Sequence, residues 1–74
     1  MTVDTLIYLR RSISDSERLL LDQGLRRIHG IVAPWFTPAM PSAVMVYFNP
    51  ELTDMFAVLA AVKRLGYDGR IVSL

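Results

Sequence analysis

Residues 42–66 read "SAVMVYFNPELTDMFAVLAAVKRLG", and two periodicities meet within them. The first part, "SAVMVYF", is rich in β-branched and aromatic residues and runs into Asn49-Pro50, which predicts a strand that stops at a turn. Beyond the turn, Met55, Val58, Leu59, Val62 and Leu65 recur at i, i+3, i+4, i+7 and i+10, with Lys63 and Arg64 in the last turn and Gly66 after it. That is the pattern of an amphipathic helix whose cations complement its dipole and whose glycine closes it. The closing "RIVSL", residues 70–74, predicts another strand, so the C-terminal half is a strand–helix–strand unit.

The N-terminal half repeats the scheme. "TLIYLRR" at residues 5–11 predicts a strand, and from Ser14 to His29 the residues Leu21, Leu25 and Ile28 form an apolar stripe with Asp22, Gln23, Arg26 and Arg27 off it. Gly30 is placed to end this helix, with Arg26, Arg27 and His29 where its negative end favours cations. "IVAPWFTPAMPS" at 31–42 holds three prolines and allows only a short edge strand, over Val32 to Phe36. The order β-α-β-β-α-β, with two interleaved βαβ units, predicts an α+β, ferredoxin-like domain spanning 1–74: a four-stranded antiparallel sheet with both helices on one face.

Composition narrows what such a domain can do. At 74 residues it buries only about 60% of the surface its unfolded chain exposes, and one core of this size supplies about 3–5 kcal/mol. The chain has no cysteine, which removes disulfides, thiolate metal sites and cysteine nucleophiles. A net charge of +1 gives no broad attraction for nucleic acid. Hydrophobic residues make up 53% and the mean hydropathy is +0.36, yet no run approaches the roughly 18 apolar residues of a membrane span. "MTVDTLIYLRR" has its acid before the apolar run and its arginines after it, the reverse of a secretory signal, and a cytoplasmic protein is expected.

Gly30-Ile31, then Val44, Val46 and Phe48-Asn49-Pro50, then Gly66-Tyr67 fall in an order and spacing that resembles the heavy-metal-associated domain of copper chaperones and metal-pumping ATPases. In that family a Gly-Val closes the first helix, a "V.V.YDP" strand end precedes the second, and a Gly-Tyr follows it. The resemblance implies a metal loop of the form GMxCxxC at the start of the first helix, two thiolates binding a soft ion such as Cu(I). Counted back from Gly30, the two cysteine places fall on Ser14 and Glu17, and the methionine place on Ser12. A serine oxygen is a poor ligand for Cu(I), and a lone carboxylate suits hard ions in the company of other oxygens.

The same residues fit another role. Ser14-Asp15-Ser16-Glu17 is an S-x-x-E capping box, in which Ser14 accepts from the Glu17 amide and Glu17 from the Ser14 amide. Asp15 and Glu17 also complement the positive end of the helix dipole. The reading is therefore a degenerate metal loop converted to a cap, with Ser14 and Glu17 as capping residues and no cofactor implied.

The remaining candidates are few. His29 is the only histidine, and Met40 and Met45 could offer thioethers to Cu(I), so a metal carrier using His29, Glu17 or Met45 is the alternative reading. The histidine stands about 20 Å, a helix length at about 1.5 Å per residue, from the serine cluster, so no nucleophile has a base and no enzyme is expected. A small-molecule regulatory domain of the ACT kind would share the topology.

The outer face of the sheet stands out. If Ile7, Leu9, Val44, Val46 and Phe48 face the helices, alternation turns Leu6, Tyr8, Arg10, Met45, Tyr47 and Val72 outward, and one of Trp35 and Phe36 joins them. A solvated sheet face is normally polar, and a contiguous apolar patch marks an interface. The sequence thus predicts a noncatalytic interaction module, working through a homodimer or a protein partner.

Overall fold

The computed structural model describes residues 1–72, with six elements: β1 (Val3–Leu9), α1 (Asp15–Arg26), β2 (Ile31–Trp35), β3 (Ala43–Phe48), α2 (Met55–Arg64) and β4 (Gly69–Val72). The strands form one sheet in the order β2-β3-β1-β4, every neighbouring pair antiparallel. Each helix thus links strands that flank a third, as the ferredoxin-like arrangement requires. The core lies between the sheet and the helix layer. Ile7, Leu9, Val44, Val46 and Phe48 supply its sheet side, and Leu21, Leu25, Val58, Ala61 and Val62 its helix side, all buried.

The boundaries depart from the periodicity in instructive ways. The first strand begins at Val3 and ends at Leu9, not 5–11, because β3 offers partners from Phe48, opposite Val3, back to Ala43, opposite Tyr8, and the pairing with β4 ends at Leu9 opposite Gly69. Helix α1 stops at a C-cap on Arg27, and Gly30 does not close it. Gly30, at φ 98°, instead occupies the third position of a separate turn in which the Ile31 amide donates to the Ile28 carbonyl at 3.1 Å. His29 is therefore exposed in a turn beyond the helix.

Gly66 fulfils its expected role: at φ 99° it lets its own amide reach the Lys63 carbonyl at 3.0 Å and the Tyr67 amide reach Val62 at 3.3 Å. This crossed pair of bonds is the Schellman closure that favours glycine. The other end of α2 is capped by Asp54, whose carboxylate accepts from the Ala57 amide at 2.9 Å.

Strand β2 is an edge, as three prolines require, but it runs Ile31–Trp35 and not Val32–Phe36. A register shift between Ile31 and Ala33 sets Val32 aside, which turns Pro34 inward and Trp35 outward. On α2 the expected stripe is displaced. Ala61 is buried while Met55 and Leu65, at the helix ends, are 40% and 41% exposed. The last strand, expected at 70–74, begins one residue earlier, at Gly69, and is present to Val72; 73–74 lie outside the described residues.

Candidate functional site

Two places compete for function: the segment from β1 into α1, where the resembling family holds its metal, and the open face of the sheet. The first begins where β1 runs out of partners. The Leu9 amide donates to Ser42 at 2.7 Å and the Ile13 amide to Pro41 at 3.3 Å, so the segment is tied to the turn before β3. Ile13 is buried in the core and anchors it. It is the one apolar residue of the hexapeptide 12–17, a signal present in the sequence itself.

Both bonds of the capping box are formed. The Glu17 amide donates to the Ser14 hydroxyl oxygen at 3.2 Å, and the Ser14 amide donates to Glu17 Oε1 at 3.1 Å. Glu17 has a further partner that the spacing does not announce. Arg11 grips its carboxylate with both terminal nitrogens, Nη1 to Oε1 at 3.1 Å and Nη2 to Oε2 at 2.6 Å, the planar two-pronged fit peculiar to arginine. The Arg11 guanidinium also stands 5.8 Å from the centre of the Tyr67 ring. Held first by Arg11 and then by the Ser14 amide, the Glu17 carboxyl falls to about 2 from its ordinary 4.5. The same pairing raises the Arg11 guanidinium above its ordinary range.

Chemically this is a closed arrangement. Both Glu17 oxygens already accept from cationic or amide donors, which a metal ion would have to displace or share. The other ligand candidates are elsewhere: His29 past the far end of α1, Met40 in the turn before β3, and Met45 in mid-β3 on the outer face. Among the described residues no group of three His, Cys, Asp or Glu could share a metal ion.

The open face is built by register. Trp35 opposes Met45, Met45 opposes Leu6, and Leu6 opposes Val72, so one apolar row crosses all four strands. One step along the strands on one side lie Ala33, Tyr47 and Asp4, and on the other Ala43, Tyr8 and Arg70. Leu6, Tyr8, Met45, Tyr47 and Val72 are each half-buried by their neighbours on the face, while Trp35 is 63% exposed. Phe36 turns the other way and packs on the core. Arg10 lies past the end of β1, on the rim and not on the face, where its guanidinium meets Asp68 at 3.2 Å. At that rim a broad, open groove of about 640 Å³ is lined by Tyr8, Arg10, Met40, Ser42, Asp68 and Arg70 among others. Leu19, Leu20 and Phe56 are exposed on the helices, outside the predicted stripes. Among the described residues no helix is long and apolar enough to cross a membrane.

The sequence matches no protein-family model and no curated protein. Solved structures do match. A copper-binding domain from HMA7, a P-type ATPase, superposes with a TM-score of 0.84 at 12% identity, over 99% of this chain and 96% of that one. Oxidised MerP from Ralstonia metallidurans gives 0.83 at 12% identity over 99% and 100% of the two chains. The N-terminal domain of a potential copper-translocating P-type ATPase from Bacillus subtilis, in its Cu(I)-loaded state, gives 0.81 at 21% identity over 96% and 88%. At such identities the likeness is one of fold, and its conclusion is that this chain has the ferredoxin-like fold of heavy-metal-associated domains, without the two cysteines of that family's metal loop.

Proposed function

We propose that the chain is a noncatalytic interaction module that self-associates through the open face of its sheet; docking on a larger protein would use the same surface. The observation that carries this reading is the row Trp35–Met45–Leu6–Val72, apolar from edge to edge of the sheet. A sheet face left to water normally alternates toward polar residues, and a domain this small gains stability by covering such a face. Leu6→Arg places a charge at the centre of the row while leaving the inner face of β1 untouched. Sedimentation velocity should show the association of the unaltered chain lost in Leu6→Arg, with the far-ultraviolet circular dichroism retained; equal association in both chains refutes the reading.

A second reading, a metal carrier with ligands other than cysteine, is favoured by the likeness to copper-binding domains. Against it stands the donor set: the Glu17 carboxylate is engaged by Arg11 and the Ser14 amide. Titration with Cu(I) and Zn(II) against a chromophoric competitor separates the two, since the carrier requires stoichiometric binding that Glu17→Gln or His29→Ala weakens.

A further inference from the structure

We infer that two copies of the chain meet face to face about a two-fold axis lying along the Trp35–Met45–Leu6–Val72 row, which sets Asp4 of each protomer against the partner's Arg70. The inference rests on the reading of the open face as the contact surface and adds the orientation of the second copy.

The face is apolar in the middle and carries opposite charge on its two sides. Asp4 stands two residues before Leu6 on β1, and Arg70 two residues before Val72 on β4; since Leu6 and Val72 oppose each other on antiparallel strands, the two charges lie on opposite sides of the row. Each is about 6.6 Å from it, at about 3.3 Å per residue. Both are exposed, and among the described residues neither takes part in an ion pair. The other charges on the Arg70 rim, Arg10 and Asp68, satisfy each other.

A symmetric face-to-face contact is self-complementary, each patch meeting its own copy through a two-fold axis in the plane of contact. With strands aligned, as packed sheets prefer, that axis runs either along the strands or across them. An axis along the strands between β3 and β1, the two central strands, superposes like ends: Asp4 lies over the partner's Tyr47, one strand from the partner's Asp4, and both Arg70 side chains face no acid. An axis across the strands exchanges the ends. Because Asp4 and Arg70 are equally far from the row, the rotation brings each level with the other. They are offset by one strand spacing of about 4.8 Å across a gap of about 10 Å, which the two side chains span by reaching toward each other. Two identical pairs form, and along the axis Trp35, Met45, Leu6 and Val72 each meet their own copies. Charge fixes the orientation while the apolar row supplies the contact.

The test is a charge swap read by sedimentation at low salt. Asp4→Arg alone and Arg70→Asp alone should each weaken self-association by roughly tenfold or more, because both symmetry-related pairs become repulsive. An equimolar mixture of the two variants should recover it as a heterodimer, in which Arg faces Asp at both places. A mixture no tighter than either variant alone overturns the axis, as does an Asp4→Arg chain that associates as the unaltered one does. Leu6→Arg separates the two levels. If it dissolves the dimer but the mixture does not recover, the orientation is wrong and the face stands; if it changes nothing, the face itself is wrong. Should a reversal fail to fold, Asp4→Asn and Arg70→Gln serve instead: paired as proposed, the double variant loses no more than either single one.

Discussion

Removing the Ser14 hydroxyl asks most directly whether the first loop serves as a helix start. In Ser14→Ala the Glu17 amide loses the oxygen that accepts from it at 3.2 Å, and the Ser14 hydroxyl contacts with Glu17 Oε1 at 3.3 Å and with the Ser16 hydroxyl at 3.2 Å go with it. The Glu17 carboxylate keeps Arg11 and the backbone amide at position 14, so one of the two bonds in the box is lost and not both. Loss of an N-cap of this kind costs about 0.5–2 kcal/mol. Set against the roughly 3–5 kcal/mol that a core of this size provides, that is a large share. It corresponds to a fall in melting temperature of about 4–8 °C per kcal/mol. Urea unfolding followed by circular dichroism should give a lower midpoint with unchanged slope. Ser14→Gly should recover most of the difference, since glycine caps nearly as well. Ser16→Ala, inside the first turn, should stay within about 0.5 kcal/mol of the unaltered chain. A Ser14→Ala chain as stable as its parent, or one whose only defect is lost metal binding, refutes the capping account.

Three further outcomes follow from particular contacts. Because the Glu17 carboxyl is depressed to about 2 from 4.5 in the folded chain, its pairing contributes fully above about pH 4.5 and is lost as pH falls toward about pH 2; Glu17→Gln should flatten that part of the acid transition in urea midpoints measured against pH, while lowering stability at neutral pH. Gly24 and Gly69 should answer differently to alanine. At Gly24 an added Cβ meets only the Leu65 side chain, at 2.8 Å, and Leu65 is 41% exposed and free to swing, so helix propensity leaves the chain unchanged or up to about 0.5 kcal/mol more stable. At Gly69 the Cβ would stand 2.9 Å from the Tyr8 carbonyl oxygen, a backbone atom, so Gly69→Ala should cost more than about 1 kcal/mol and loosen the β1–β4 pairing, read by amide exchange. Leu21 is fully buried, and Leu21→Ala should cost about 2–5 kcal/mol, enough to leave much of the chain unfolded at 25 °C by circular dichroism.

The fold is legible in the sequence because its determinants are local. Stripes such as Leu21–Leu25 and Val58–Val62, together with the alternation of Ile7, Leu9, Val44, Val46 and Phe48, place the core correctly, and Gly66 ends its helix as its position suggests. The departures come where tertiary contacts decide. Gly30 has the look of a helix stop, yet its positive φ serves a turn three residues beyond the cap. Trp35 and Phe36 cannot be told apart from periodicity, because a register shift at Val32 changes which of them faces outward. Arg11 carries no sequence signal at all. It reaches Glu17 across the strand-to-helix corner, and no helical or strand period relates residues six apart there. That pair, with the Ser14 amide, accounts for the lowered Glu17 carboxyl and occupies both of its oxygens with donors.

The mass of the unaltered chain in solution, measured by sedimentation equilibrium over a range of concentrations with and without Cu(I), bears most directly on the claim that the sheet face and not the first loop is the working surface. The account predicts a species of twice the 8.4 kDa chain mass, reached at the same concentration whether or not Cu(I) is present. A monomer at every concentration, or a dimer that forms only when Cu(I) is added, would contradict it.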